Sequence, residues 1–399
     1  MSRILFLVRV YPGVGGVESV TDHLIHELAK DNEIFVLSYP LTDIPYDKSV
    51  IAGYFQFASE GVTPENIAFY NEIIGSNNIG YVINQGMYSF FSEIVFNKDR
   101  DINVKVLSVL HAMPGYESRD YWLQAELNKM NFSSRIRYAV NRFFKTGKDY
   151  RRYMAAMRQT YRDAVYKGYK AILLADGYVD QFVNMYDISD AGDKVCAIPN
   201  PLSQAYSSLT EPDYAKKEKL AVFVGRLAPE KDLVTLLRAW SIVEKRCPDW
   251  SLVIVGDGPM YGKLVKMADR MKTVHFAGYV SDPERFYARA SMVLLTSEHE
   301  GFGMCLLEAE RYGAVPVTFD ISAGVRSLVQ DAGKIVRRRS PRDFAEAVCS
   351  LISDESELKR LGRESFRKSG EYCIGKIADR WRALIDGDFI DGDVDMKSF

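Results

Sequence analysis

Two carboxylates, Glu300 and Glu308, stand in the stretch TSEHEGFGMCLLEAERYGAVPV, residues 296–317, with Gly301-Phe302-Gly303 between them. Such a pair has three physical uses. It complements the positive N-terminal end of a helix, it flanks a scissile bond as acid and base in glycoside hydrolysis, or it accepts hydrogen bonds from a bound ligand. A second group is cationic. GRLAPEK (225–231) places Arg226 and Lys231 on one loop, with Pro229 suited to the first turn of the following helix. Fixed cations of this kind are either solvated charges or groups that meet negative charge developing on a leaving group. VGDGP (255–259) carries Gly256, where a missing Cβ admits close backbone approach, and HAMPG (111–115) puts His111 at the end of an apolar run.

The elements that must position these residues follow from periodicity. Short apolar runs RILFLVRV, EIFVLSY, GYVINQG, VKVLSVLHA and KAILLADG occupy the first half. KLAVFVGR, WSLVIVGDG, TVHFAGYV, SMVLLTS and AVPVTFD occupy the second. Amphipathic helical patterns such as VESVTDHLIHELAK and PEKDLVTLLRAWSIVEKR lie between most of them. Continuous apolar strands alternating with helices indicate parallel sheets covered on both faces. The reading is α/β, with two doubly wound, Rossmann-like domains facing each other across a cleft. The Pro- and Ser-rich, aperiodic 199–217 reads as the linker. The expected division is 1–199 for the first domain, 200–370 for the second, and 371–399 for a C-terminal helix crossing back to the first. In such sheets ligands bind beyond the carboxyl ends of the strands, where the four motifs lie.

Composition narrows the class. With 399 residues, 47% hydrophobic and 26% charged, the chain has the make-up of a soluble globular protein. A formal charge of -2 gives no reason to expect nucleic acid. Five cysteines, odd in number and without a C-x-x-C pair, argue against a disulfide framework or a structural zinc site. The apolar N-terminus is broken by Arg9 and runs into Pro12-Gly13, unlike a signal peptide. The localisation expected is cytoplasmic, with peripheral attachment at the inner face of the membrane as its furthest extension.

FVGRLAPEKD, LVIVGDGP, VHFAGYV and the E-x7-E pair of HEGFGMCLLEAERYG closely resemble the retaining nucleotide-sugar glycosyltransferases of family 4, which have the GT-B fold. The similarity extends over most of residues 218–320, and IPNP (198–201) resembles the end of that family's first domain. Gly15-Gly16 with the following helix, and His111, match more loosely. The chain departs from the family at SAGVRSLV (322–329), where Ser322, Ala323 and Ser327 replace an expected Gly-Gly-x-x-Glu. The resemblance implies transfer of a hexose-type sugar from a nucleotide-diphosphate donor, UDP being the expected form, to a glycan or lipid-linked glycan acceptor. It implies His111, Arg226, Lys231 and Glu300 as catalytic residues. Gly15, Gly16, Gly256, Tyr279, Val280, Gly301, Phe302, Gly303 and Glu308 would bind the donor, Tyr279 and Val280 through their backbone. No metal and no cofactor are expected, since side-chain cations would stand in for a metal.

The acceptor side is less specific. Residues 129–170 hold twelve Lys or Arg against Asp149 and Asp163, a net +10 in a chain of -2. Apolar residues at Tyr150, Tyr153, Met154, Met157, Tyr161, Ala164 and Val165 recur at helical spacing. Two readings stay open. The helix packs that stripe on the first domain and solvates its basic face, or Arg142, Lys145, Lys148, Arg151 and Arg152 meet an anionic membrane or lipid-linked acceptor. Other functions on two Rossmann-like domains are an epimerase, a phosphorylase, a dehydrogenase or a non-catalytic sugar-binding protein. The PGVGGVES turn does not fit the G-x-G-x-x-G of a dehydrogenase.

Overall fold

The computed structural model describes residues 1–13, 15–39, 45–98, 102–116, 151–188 and 190–387. Two compact units divide the chain: Met1–Ile198 with Arg380–Phe399, and Pro199–Asp379.

Among the described residues the first unit has seven strands: β1 (Arg3–Val8), β2 (Glu33–Ser38), β3 (Ile51–Gln56), β4 (Tyr81–Asn84), β5 (Lys105–Val109), β6 (Lys170–Leu173) and β7 (Val195–Ala197). All pair in parallel, in the order β3-β2-β1-β4-β5-β6-β7. β1 is buried at five of its six residues, as a strand covered on both faces must be. Its Leu5 pairs with Phe35 of β2 on one side and Val82 of β4 on the other. Leu5, Leu7, Phe35, Val82, Ile94 and Phe91 form one core, and the Phe57 and Phe91 rings stack at 6.0 Å. The chain builds outward from β1 in one direction, then returns and builds from β4 in the other. The β1/β4 junction is therefore a topological switch point, where flanking helices leave opposite faces and open a crevice at the carboxyl edge.

The second unit repeats the plan with β8 (Glu218–Val224), β9 (Ser251–Val255), β10 (Val274–Gly278), β11 (Ala290–Leu295), β12 (Val315–Phe319) and β13 (Lys334–Val336), ordered β10-β9-β8-β11-β12-β13. Its switch point lies between β8 and β11. Both sheets thus have the α/β, Rossmann-like organisation that the periodicity indicates. Three strands escaped that reading: β3, β7 and β13. Each forms a sheet edge, and β7 and β13 have only three residues, too few to show a period.

Residues 199–217 are not a free linker. Leu202 bridges Cys373, and the buried Arg311 guanidinium donates to the carbonyls of Tyr206 at 3.0 Å, Leu209 at 2.9 Å and Phe366 at 3.2 Å. The same guanidinium lies 4.1 Å from the Phe366 ring centre. Pro and Ser composition marks a surface segment, but it cannot reveal an arginine a hundred residues away that ties the segment down. The helix Ile374–Asp386 leaves the second unit and joins the first at Arg380. There Arg380 donates to the Ala197 carbonyl at 2.7 Å, and Arg382 pairs with Asp31 at 2.8 Å.

Of the basic block, 117–150 lies outside the described residues, so Arg142, Lys145 and Lys148 carry no structural account. Residues 151–166 are helical. Tyr161, Ala164 and Val165 are fully buried, with Tyr161 against Phe182 and Tyr186 at 5.4 and 4.5 Å. Arg158 pairs with Asp187 at 2.6 Å, and Arg162 donates to the Asp187 carbonyl. Lys167 pairs with Asp163 at 2.9 Å, and Lys170 with Asp193 at 3.0 Å. This half of the block is a packed helix, and Arg151 and Arg152 at its start are exposed.

Glu310 is a costly feature of the second unit. It is fully buried and neither carboxylate oxygen has a hydrogen-bond partner among the described residues, so burial raises its pKa well above the usual value despite the pull of Lys368. The folded state then holds a proton that the unfolded chain releases near pH 4.5, and stability falls as pH rises above that value. The slope reaches about 1.4 kcal/mol per pH unit. Glu310→Gln removes this titration. Thermal melts between pH 5 and 8 should show the wild type losing stability relative to the variant as pH rises; parallel curves contradict a protonated Glu310.

Candidate active site

The β8/β11 switch point gathers the chemistry. After β8 the chain turns through Gly225 and Arg226, makes a short 3-10 turn at Pro229–Lys231, and enters the helix Leu233–Arg246. Asp232, left-handed at φ 45°, caps that helix by accepting from the Thr235 amide at 3.3 Å. After β11 the loop 296–303 reaches the helix Met304–Glu310, capped by Gly303 at φ 92°, a conformation that favours glycine.

The two loops are stitched together. The Glu298 amide donates to the Glu230 carbonyl at 2.7 Å, and the Thr296 hydroxyl donates to the carbonyls of Lys231 and Asp232, both at 3.1 Å. Arg339 locks the seam from below. Its guanidinium donates to the carbonyls of Ser297 (3.0 Å) and Thr296 (2.6 Å) and to the Asp232 carboxylate (3.0 Å).

On this frame Lys231 Nζ meets Glu300 Oε1 at 2.5 Å, and the Ser297 hydroxyl donates to the same oxygen at 2.9 Å. Burial depresses the Lys231 pKa, but the Glu300 carboxylate more than offsets it, and the net shift is upward. Lys231 therefore stays a cation at neutral pH. Arg226 is exposed, and its side chain has no hydrogen-bond or ion-pair partner among the described residues. The site thus offers one tethered cation and one unengaged one. The neighbouring Cys305 thiol is pushed by burial up to about 12, which makes it a poor nucleophile.

Glu308 lies on the second turn of its helix, and Tyr287 donates to its Oε2 at 3.0 Å. Burial raises the Glu308 pKa to about 7, with the Tyr287 hydrogen bond opposing and Glu284 reinforcing. Tyr206, Tyr287 and Tyr312 cluster behind it, with Tyr206 and Tyr287 ring centres 5.8 and 6.3 Å from Tyr312. Sequence reasoning missed Ser297, Tyr287 and Arg339. Ser297 sits within the motif, whereas nothing local marks the other two.

The remaining predicted residues fall differently. A Cβ at Gly256 (φ 132°) would lie 2.0 Å from the Gly225 carbonyl oxygen. The neighbouring loop therefore requires a glycine at 256. Phe302 turns its ring inward against Tyr372 at 5.7 Å, so its side chain is not available to a ligand, whereas Gly301 is half-buried. Tyr279 is 74% exposed beyond β10, next to half-buried Val280. Ser322 caps the helix Ala323–Val329, and Val325 Cγ2 lies 3.4 Å from where a Gly303 Cβ would be, so the divergent SAGVRSLV loop adjoins Gly303. A cavity of about 520 Å³ opens elsewhere, at the amino ends of the strands beside Lys217, Ser291 and Trp250, and none of the predicted residues lines it.

In the first unit, Gly15 caps the helix Gly16–Leu28 under the folded-back Glu18, and a Cβ at Gly16 would meet open space. His111 follows β5, and its Nε2 lies 2.6 Å from Gln85 Oε1 beyond β4. Arg226, Lys231, Glu300 and Glu308 thus share one unit, while Gly15, Gly16 and His111 belong to the other.

Residues 210–368 match the family described as glycosyl transferases group 1. The poly(glycerol-phosphate) alpha-glucosyltransferase of Bacillus subtilis is 30% identical over 46% of this chain and 27% of its own length. The amylovoran biosynthesis glycosyltransferase of Erwinia amylovora is 28% identical over 43% of this chain and 50% of its own. The chain therefore spans half or less of these relatives. Among solved structures, S. aureus TarM in complex with UDP superposes with a TM-score of 0.72 at 14% identity, covering 97% of this chain and all of the other. The fold is that of the GT-B glycosyltransferases, and the similarity to glycosyl transferases group 1 extends over residues 210–368.

Proposed function

We propose that this protein transfers a hexose-type sugar from a UDP-sugar to a hydroxyl of a surface glycan, with retention at the anomeric carbon and without a metal ion. The observation that carries the reading is the Lys231–Glu300 pair at 2.5 Å on the β8/β11 switch point, with an unengaged Arg226 on the same loop. As the C1–O bond to the diphosphate breaks, negative charge develops on the leaving oxygen, and Lys231 and Arg226 stabilise it. Glu300, held by Lys231 and Ser297, faces the hexose hydroxyls. The acceptor oxygen bonds to C1 on the face the diphosphate leaves, and its proton passes to a phosphate oxygen. The two names among the relatives, a poly(glycerol phosphate) glucosyltransferase and a transferase of amylovoran biosynthesis, favour a surface polymer as acceptor. Proton NMR of the first-formed product tests retention: the anomeric coupling should match that of the donor, and an inverted product contradicts it.

In this reading Glu308 accepts from the ribose hydroxyls, and only its ionised form does so fully. Its pKa of about 7 makes nucleotide binding pH-dependent. Calorimetric UDP affinity should rise about tenfold between pH 6 and pH 8, the worth of a charged over a neutral acceptor. Glu308→Gln should bind more weakly at pH 8 and with a flatter pH dependence, the phosphate's own titration being common to both. Equal slopes would remove Glu308 from the ribose site.

A further inference from the structure

The cavity of about 520 Å³ lies at the amino ends of β8, β9 and β11, the edge of the second unit's sheet opposite its switch-point loops. The helix Glu355–Ser369 lines another side of it through Glu355, Leu358 and Lys359. The charges around it are settled in pairs. Arg289 holds Glu218 with two hydrogen bonds, at 2.7 and 2.9 Å. Lys219 pairs with Asp249 at 2.5 Å, Lys359 with Glu355 at 2.5 Å, and Arg246 with Glu346 at 2.7 Å. Lys217 is the exception. Its Nζ donates to the Tyr287 carbonyl at 3.0 Å, and no carboxylate stands within ion-pair distance of it among the described residues. Burial pushes its ammonium pKa down to about 8. Apolar surface lines the same cavity: Trp250, 5% exposed, with Tyr214, Ile352 and Leu358.

We propose that this cavity is a binding site for a small organic monoanion, a carboxylate on an apolar body, whose charge pairs with Lys217 while its body lies against Trp250, Ile352 and Leu358. The reasons are electrostatic and steric. A cation taken partly out of water without a counter-ion is held at a cost, and an anion entering beside it offsets that cost. An ammonium has three donors, and the Tyr287 carbonyl engages one, which leaves two for a carboxylate. One uncompensated cation matches one negative charge. A phosphate dianion would bring a second charge among cations that already have their carboxylates. The size suits a small molecule too, since pockets of about 300–1,000 Å³ with apolar walls and a few placed polar groups are the usual ligand sites. Arg226, Lys231, Glu300 and Glu308 do not line this cavity, so the inference stands apart from the proposed transfer reaction.

The probe is hydrocinnamate, titrated calorimetrically into the full chain beside hydrocinnamyl alcohol, which lacks the charge, and inorganic phosphate, which lacks the apolar body. Hydrocinnamate should bind saturably at one site, about tenfold or more tighter than either control. Lys217→Met keeps the stem, removes the cation and should weaken binding by the same factor. Ala215 lines the cavity at an exposed position, so Ala215→Glu adds a negative charge there without disturbing a core, and it should weaken binding too. That second variant keeps the test decisive where Lys217→Met folds poorly. Lys231→Ala, at the proposed transfer site, should bind the probe as the wild type does. Absence of saturable binding overturns the proposal. So does an alcohol or phosphate that binds as tightly as hydrocinnamate, or a folded Lys217→Met or Ala215→Glu with wild-type affinity. Binding lost in Lys231→Ala but kept in Lys217→Met would place the anion at the transfer site, and it would overturn this proposal while leaving the transfer reaction standing.

Discussion

Lys231→Ala is expected to lower the proposed sugar transfer by about 10²-fold or more. Lys231 is the tethered cation of the site, kept protonated by Glu300 at 2.5 Å and fixed by a seam running from Asp232 through Thr296 to Arg339. In the proposed reaction its ammonium would need no reorganisation as charge develops on the leaving diphosphate, and that is what makes a preorganised group worth more than a mobile one. The alanine variant also leaves the part-buried Glu300 without its counter-ion, so part of the loss is repulsion of the anionic donor. Lys231→Arg separates the two effects. It restores charge but not geometry, because a planar guanidinium cannot occupy the place of a compact ammonium between the two loops. Recovery should be partial. Arg226→Ala, lacking such tethers, should cost less than Lys231→Ala and add to it. A Lys231→Ala enzyme with wild-type turnover would contradict the catalytic role, and a lowered melting temperature in the same variant would show that the pair is structural.

The largest effect on stability belongs to Arg311. Its guanidinium, 8% exposed, donates to three main-chain carbonyls, two of them in the segment that runs into the second unit and one at Phe366. Arg311→Met keeps the apolar stem and removes every donor. Each carbonyl left without a partner costs about 1–3 kcal/mol, so a total of about 3–9 kcal/mol is expected, or a melting temperature lower by about 10 °C or more. Limited proteolysis should then cut first within 199–217, which in the wild type is held against the sheet's flanking helices. A variant that melts within about 2 °C of the wild type, with the segment still protected, contradicts the role given to Arg311.

Much of this architecture is legible in the residues alone, and the rest is hidden for definite reasons. β1, β8 and β11 are buried on both faces, so each writes itself as an unbroken apolar run, and the helices between them as amphipathic stripes. β7 and β13, three residues each at sheet edges, have no such signature. Single positions of the site are legible too, because Glu300, Glu308, Arg226 and Lys231 sit at strand ends in a recognisable order. Their partnerships are not. Lys231 and Glu300 are 69 residues apart, and Arg339 reaches Asp232 across 107. A glycine such as Gly256 announces that something comes close without saying what, and the something is the Gly225 carbonyl. Proline and serine around residue 200 announce a surface segment but not the arginine that pins it.

The central claim, that the second unit's switch point cleaves and transfers the sugar of a nucleotide diphosphate donor, is tested most directly by a donor panel. The full chain, in excess EDTA, is incubated with UDP-, GDP- and ADP-linked hexoses and N-acetylhexosamines, and nucleoside diphosphate release is followed with and without a surface-glycan extract. The account predicts release from a UDP-sugar that persists in EDTA, rises with the glycan, and falls about 10²-fold or more in Lys231→Ala. A folded protein that releases no nucleotide from any donor, or whose Lys231→Ala variant releases it as fast as the wild type, would contradict it.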